Sequence, residues 1–159
     1  MEPSSFLQQL NPQNFEQIAL ETFKRQYQNV SIYRAYVKLL GKPMPKSIYQ
    51  IPFLPISFFK THKVLPEGIE YQKIFLSSGT TLQQRSQHFI HDLSWYESSM
   101  MLAFQSVFGD PQQYAFIALL PSYLENGDSS LIYMVDRLIQ ASTNEISGYY
   151  LANLNEVGN

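Results

Sequence analysis

Four prolines, Pro43, Pro45, Pro52 and Pro55, fall within thirteen residues. Each fixes φ near about −65°, removes a backbone donor and disfavours helix at the residue before it. No regular helix and no central strand can therefore run through 43–55, and the segment splits the chain into an earlier and a later part. The segment is not a solvated linker, because Ile51, Phe53, Leu54, Ile56, Phe58 and Phe59 make it too apolar to stay in water. An extended strap over the domain surface is expected, ending in a short helical turn near 57–60.

Ahead of the prolines the pattern is helical. Phe15, Ile18, Ala19, Phe23 and Tyr27 recur mostly at three- and four-residue steps, which lines one face of a helix. Asn11-Pro12 is its expected entry, since proline suits the first helical position. A second helix is expected over 31–40, with Gly41 as its stop and Pro43 behind it. After His62 the pattern becomes an alternation. Residues 71–77 predict a strand running into a loop, and 87–90 a short return strand. Asp92 caps a helix carrying Trp95, Tyr96, Met100, Ala103, Phe104 and Val107, which Gly109 ends. Trp95, Met100 and Met101 are expected in core packing. Residues 114–120 form a short apolar run of the kind buried on both faces of a sheet. A helix over 131–139 follows, capped by Ser129 or Ser130, and 149–151 begin a further strand. The expected fold class is α/β, with N-terminal helices followed by alternating strands and helices forming a largely parallel sheet. The expected division is a helical cover over 1–45 and an α/β part over 46–159, together one partial domain. Residues 152–159 follow the last strand with neither helix nor charged tail, so the chain is expected to be the N-terminal portion of a longer protein.

Composition narrows the function classes. With 159 residues, 45% of them hydrophobic and 14% aromatic, a core can form without staples. Only 15% of residues are charged, which is incompatible with intrinsic disorder. A net charge of −2 leaves no basic excess for a broad nucleic-acid footprint. There is no cysteine, so disulfides, thiolate metal sites and a cysteine nucleophile are excluded within these residues. The start lacks a basic n-region and an apolar core, and no apolar run approaches the roughly 20 residues of a membrane span. A soluble, cytoplasmic protein is expected.

The sharpest chemical feature is Ser77-Ser78-Gly79-Thr80-Thr81, where a strand enters a small, hydroxyl-rich loop. Gly79 lets backbone approach a ligand, successive N–H groups can form an anion-binding concavity, and the hydroxyls add donors. Arg85 supplies a nearby cation. No glycine–lysine pair follows, so this is not the loop of the nucleoside triphosphatases. An ordinary serine–threonine turn accounts for the same residues. Lys60, His62 and Lys63 form a basic cluster that either supports a phosphate or carboxylate or is a solvated turn. His88 and His91 lie three apart without a third ligand at a zinc spacing, so no metal site is expected; His88 braces the loop or packs under it. Asp128 and Ser129 border the crevice where ligands meet parallel strands, or serve as a turn and helix cap.

The pentapeptide 77–81 resembles the phosphate-loop motif of adenylate-forming enzymes, the acyl-CoA synthetase and luciferase-like superfamily. Two stretches narrow the likeness. Ile51-Pro52-Phe53-Leu54-Pro55-Ile56-Ser57-Phe58-Phe59-Lys60-Thr61-His62-Lys63-Val64 resembles the segment ahead of that loop in the acyl-protein synthetases of bacterial bioluminescence operons. Residues 120–131, beginning Leu120-Pro121-Ser122-Tyr123, resemble a second stretch of that family. Leu82 stands where the motif commonly has glycine, and Arg85 or Ser86 lies nearest a position often held by lysine. The resemblance implies part of the N-terminal domain of an adenylate-forming ligase. It implies ATP with Mg2+ as cofactors and a fatty or other carboxylic acid as substrate. It also implies transfer of the acyl group to a thiol, with a reductase, acyl-carrier protein or coenzyme A as partner. Ser77, Ser78, Gly79, Thr80 and Thr81 would be the ATP contacts, supported by Arg85, Ser86, His88, Lys60, His62, Asp128 and Ser129. The family's later catalytic elements are absent from these residues, so these residues alone are expected to lack turnover. A coenzyme A ligase and a non-catalytic docking module are the alternative readings.

Overall fold

A computed structural model describes residues 3–78, 84–120 and 127–151. The chain divides into two compact units, Met1–His91 and Asp92–Asn159.

The first unit begins with α1 (Pro3–Gln8), α2 (Phe15–Asn29) and α3 (Ser31–Leu39). The helix expected to enter at Pro12 starts at Phe15 instead. The side chain of Asn11 explains the delay: its oxygen accepts the N–H groups of Gln13 and Asn14, at 3.0 and 3.1 Å, and so holds a turn ahead of the helix. Val30 is extended between α2 and α3 and only 2% exposed. Its N–H closes α2 on the Gln26 carbonyl, and its own carbonyl accepts from Arg34 in α3. Phe23 is buried between Tyr27 and Tyr33, whose ring centroids both lie 6.0 Å away. Beyond α3, Gly41 takes φ +59°, a left-handed conformation that favours glycine.

The proline segment wraps the unit as expected. It holds a 3-10 turn (Ile48–Gln50) and ends in α4 (Phe58–Thr61). Two bonds pin it down: the Tyr33 hydroxyl donates to the Pro52 carbonyl at 2.6 Å, and the Ile48 N–H donates to the Glu16 carboxylate at 3.1 Å. The unit closes with a hairpin of β1 (Lys73–Leu76) and β2 (Gln87–Ile90), antiparallel, with Phe75 opposite His88. Phe75 and Ile90 point into the core.

The second unit comprises α5 (Leu93–Phe108), a 3-10 turn (Pro111–Gln113), β3 (Ile117–Ala118), α6 (Ser130–Ser142) and β4 (Gly148–Tyr149). Asp92 caps α5 by accepting the Ser94 N–H at 2.9 Å, and Gly109 ends it. Ser129 caps α6, its hydroxyl accepting the Ile132 N–H. Strands β3 and β4 are parallel, joined through α6. At the end of α6 the buried Ser142 hydroxyl lies 2.8 Å from that of Ser147, which accepts the N–H of Phe116 just ahead of β3.

The α/β expectation therefore holds only in its coarser form, a mixture of helices and small sheets. The described residues contain two separate two-stranded sheets and no large parallel sheet. The run 114–120, expected as a strand buried on both faces, pairs only at Ile117 and Ala118, and Leu119 is 54% exposed. Helix α5 also departs from expectation: none of its residues is fully buried, and Trp95 is 39% exposed. Among the described residues, no helix is long and apolar enough to cross a membrane.

Candidate functional site

The first residue of the hydroxyl-rich segment, Ser77, extends the β1–β2 ladder. One step past the last strand pair, the Ser77 N–H donates to the Ser86 carbonyl at 3.0 Å. The Ser86 N–H returns the bond to the Ser77 hydroxyl at 2.9 Å. Arg85 adds a third tie, its Nε donating to the Ser77 carbonyl at 2.6 Å. The three bonds tie Ser77 to Arg85 and Ser86 in a neck of two serines at the end of the ladder, with a guanidinium beside it. An accepting hydroxyl keeps its own proton, so Ser77 can still donate to a ligand. Arg85 uses Nε at the neck, and a phosphate is gripped by the terminal nitrogens of a guanidinium. Gly79, Thr80, Thr81 and Leu82 lie outside the described residues, as do 121–126.

His88 sits on β2 and meets the ring of Phe59 edge to face, with centroids 5.8 Å apart. Partial burial there lowers its pKa below the ordinary histidine value, which favours the neutral ring. The residues of the basic cluster have local partners. His62 stacks on Phe58 at 5.3 Å, and its Nδ1 lies 2.8 Å from the Thr61 hydroxyl. The Lys63 ammonium stands over the rings of Tyr71 and Phe89, 5.1 and 5.6 Å from their centroids. Lys60 occupies the last turn of α4 and is exposed. His91 meets the Glu70 carbonyl at 2.9 Å. In the second unit, Ser129 is engaged as the α6 cap, and Asp128 is exposed in the turn before it. Among the described residues, no group of three or more histidine or acidic side chains could hold a metal.

The first unit also holds a cavity of about 890 Å³ that was not anticipated from the sequence. Its walls come from α1, α2, the strap and α4. Thr22 and Gln26 line it four residues apart on α2, within the apolar face. Polar residues at helical spacing on a hydrophobic face were the available signal. Phe59 lines the cavity and also touches His88 on the hairpin.

The second unit concentrates tyrosines around α6. Tyr149 has its hydroxyl 3.3 Å from the Ile132 carbonyl, and its pKa is pushed up to about 12 by burial and then by the Asp136 carboxylate. Tyr96 and Tyr133 are raised too, chiefly by burial. A tyrosine whose folded pKa exceeds its unfolded value near 10 contributes stability that is complete below about pH 10 and is lost as pH rises toward the folded value. For Tyr149 that window is pH 10 to about 12. At about 1.4 kcal/mol per unit, the contribution is at most about 3 kcal/mol, less what solvent screens. Urea midpoints measured from pH 8 to 11 should fall more steeply above pH 10 in the wild type than in Tyr149→Phe. Identical slopes would dismiss the assignment.

Neither a family model, a curated protein nor a solved structure matches this chain.

Proposed function

We propose that this chain is part of an ATP-dependent carboxylate-activating ligase of the acyl-protein synthetase type, working in the cytoplasm. The observation that carries the reading is the neck at which Ser77, the start of the hydroxyl-rich sequence 77–81, is tied to Ser86 and Arg85. Such a loop suits the phosphates of ATP: its backbone N–H groups and hydroxyls donate, and the guanidinium offsets charge. In the reaction, a carboxylate oxygen attacks the α-phosphorus of ATP, the bond to pyrophosphate breaks, and an acyl-adenylate forms. A thiol then attacks the acyl carbon and AMP leaves. The acceptor thiol belongs to a protein cysteine or to coenzyme A and lies outside these residues. Magnesium, carried on the phosphates, offsets their charge. What the chain's own residues contribute is positioning and electrostatic stabilisation, the main sources of phosphoryl-transfer catalysis.

The first test is calorimetric titration of magnesium-ATP into the 159-residue chain, with Thr80→Val plus Thr81→Val as control. Saturable binding that the double variant loses, while keeping its helical circular dichroism, is the expected result. Absent binding, or binding indifferent to the double substitution, counts against the reading. A second reading, a non-catalytic docking module, draws on the exposed apolar strap, where Tyr49 is 92%, Phe53 81% and Ile56 82% exposed. Acid-dependent exchange of pyrophosphate into ATP by a protein containing this chain would eliminate it.

A further inference from the structure

We propose that the first unit binds an uncharged, single-chain aliphatic molecule, with a long-chain primary alcohol as its simplest form, in the cavity between α2, the strap and α4. The inference is independent of the ATP site. It starts from size: about 890 Å³ lies within the roughly 300–1,000 Å³ typical of small-molecule pockets. It continues with the wall. Ile18 and Ala19 on α2 and Phe53 and Leu54 of the strap line it, and among the described lining residues none is acidic or basic. An unsubstituted hydrocarbon chain matches such a wall, because it can replace water without breaking hydrogen bonds.

The polar groups select the head of the ligand. The Thr22 hydroxyl and the Gln26 amide are neutral, and each can both donate and accept. The Tyr33 hydroxyl, also at the wall, already donates to Pro52. Gln26 is exposed and Thr22 half-buried, so a carboxylate placed here would lose part of its hydration, and among the described lining residues it would meet no cation to offset that loss. An alcohol exchanges hydrogen bonds with the amide and hydroxyl at little cost. The chemistry of the wall thus favours the alcohol over the acid of equal length. A nucleotide or sugar, which needs many polar partners, does not fit it.

The test titrates 1-decanol and decanoate separately into the 159-residue chain at about pH 8, where the acid is ionised. Saturable one-to-one binding of decanol is expected, with decanoate at least about tenfold weaker. Thr22→Trp, which fills the cavity from a half-exposed position, should weaken decanol by at least about tenfold while leaving helical circular dichroism intact. If that variant misfolds, Ala19→Phe provides the same block with a smaller ring. No saturable binding of decanol by the wild type, decanoate binding as tightly, or decanol binding unaffected by a folded blocking variant would each overturn the proposal. A chain that takes magnesium-ATP but not decanol loses this inference alone, and the converse result leaves it standing.

Discussion

Phe75→Ala is expected to lower the unfolding free energy by about 3–5 kcal/mol, the usual cost of truncating a buried aromatic ring. Phe75 is 3% exposed, at the inward position of β1, and it stands opposite His88 in the ladder. Removing its ring leaves a void in a unit whose other buried side chains, among them Phe23, Val30, Val37, Leu65 and Ile90, are anchored at separate places along the chain and cannot all move in to fill it. The effect should reach the neck, because Ser77 follows two residues later, one step past the end of β1. The amide protons of Ser77 and Ser86, paired at the neck, should exchange with solvent faster than in the wild type. Urea denaturation measures the first effect and hydrogen exchange the second. A loss under about 1 kcal/mol would mean the site collapses around the void, and unchanged exchange would mean the neck does not depend on this strand.

Local chemistry made most helix ends predictable, the start of α2 excepted. Asp92 and Ser129 cap helices because short polar side chains reach the N–H groups two or three residues on, and Gly41 and Gly109 end helices where φ turns positive. These are properties of a few adjacent residues and need no knowledge of the rest. Strands are different, because a strand exists only where a partner supplies hydrogen bonds. The apolar run 114–120 is hydrophobic enough for a long buried strand, yet only Ile117 and Ala118 find partners, at Gly148 and Tyr149. Likewise, β1 and β2 pair antiparallel because the connection between them, residues 77–86, is shorter than the roughly dozen-residue crossover that a parallel pair needs. For the site, the sequence named Ser77, Ser86 and Arg85 by their chemistry. Their mutual bonds at the neck depend on register, which a list of residue types does not contain. The cavity was hidden for a similar reason. Thr22 and Gln26 interrupt an apolar face, and only the return of the strap across α2 turns that interruption into a lined site.

Tyr133 offers the second large effect and separates two sources of stability in the other unit. It is 2% exposed, its ring meets Tyr96 edge to face at 5.9 Å, and its hydroxyl donates to the Glu97 carboxylate. The Arg137 guanidinium stands over the same ring, 4.9 Å from the centroid, with Nε 3.1 Å from Glu97. Tyr133→Ala should cost about 3–5 kcal/mol, since it removes the buried ring and the surface against which Arg137 rests. Tyr133→Phe keeps the ring and removes the hydroxyl that donates to the Glu97 carboxylate, which is 39% exposed and still has Arg137 beside it. Water can replace that donor, so the expected loss is about 1 kcal/mol. Arg137→Ala should fall near the lower figure, because a half-exposed ion pair contributes little. Trp95, the single tryptophan, lies on α5 in the same unit, so its fluorescence follows unfolding there directly. If Tyr133→Phe proved as damaging as Tyr133→Ala, the hydroxyl–carboxylate bond would have to dominate. The half-exposed position of Glu97 argues against that, because solvent access weakens a charge-assisted bond far more than it weakens the burial of an aromatic ring.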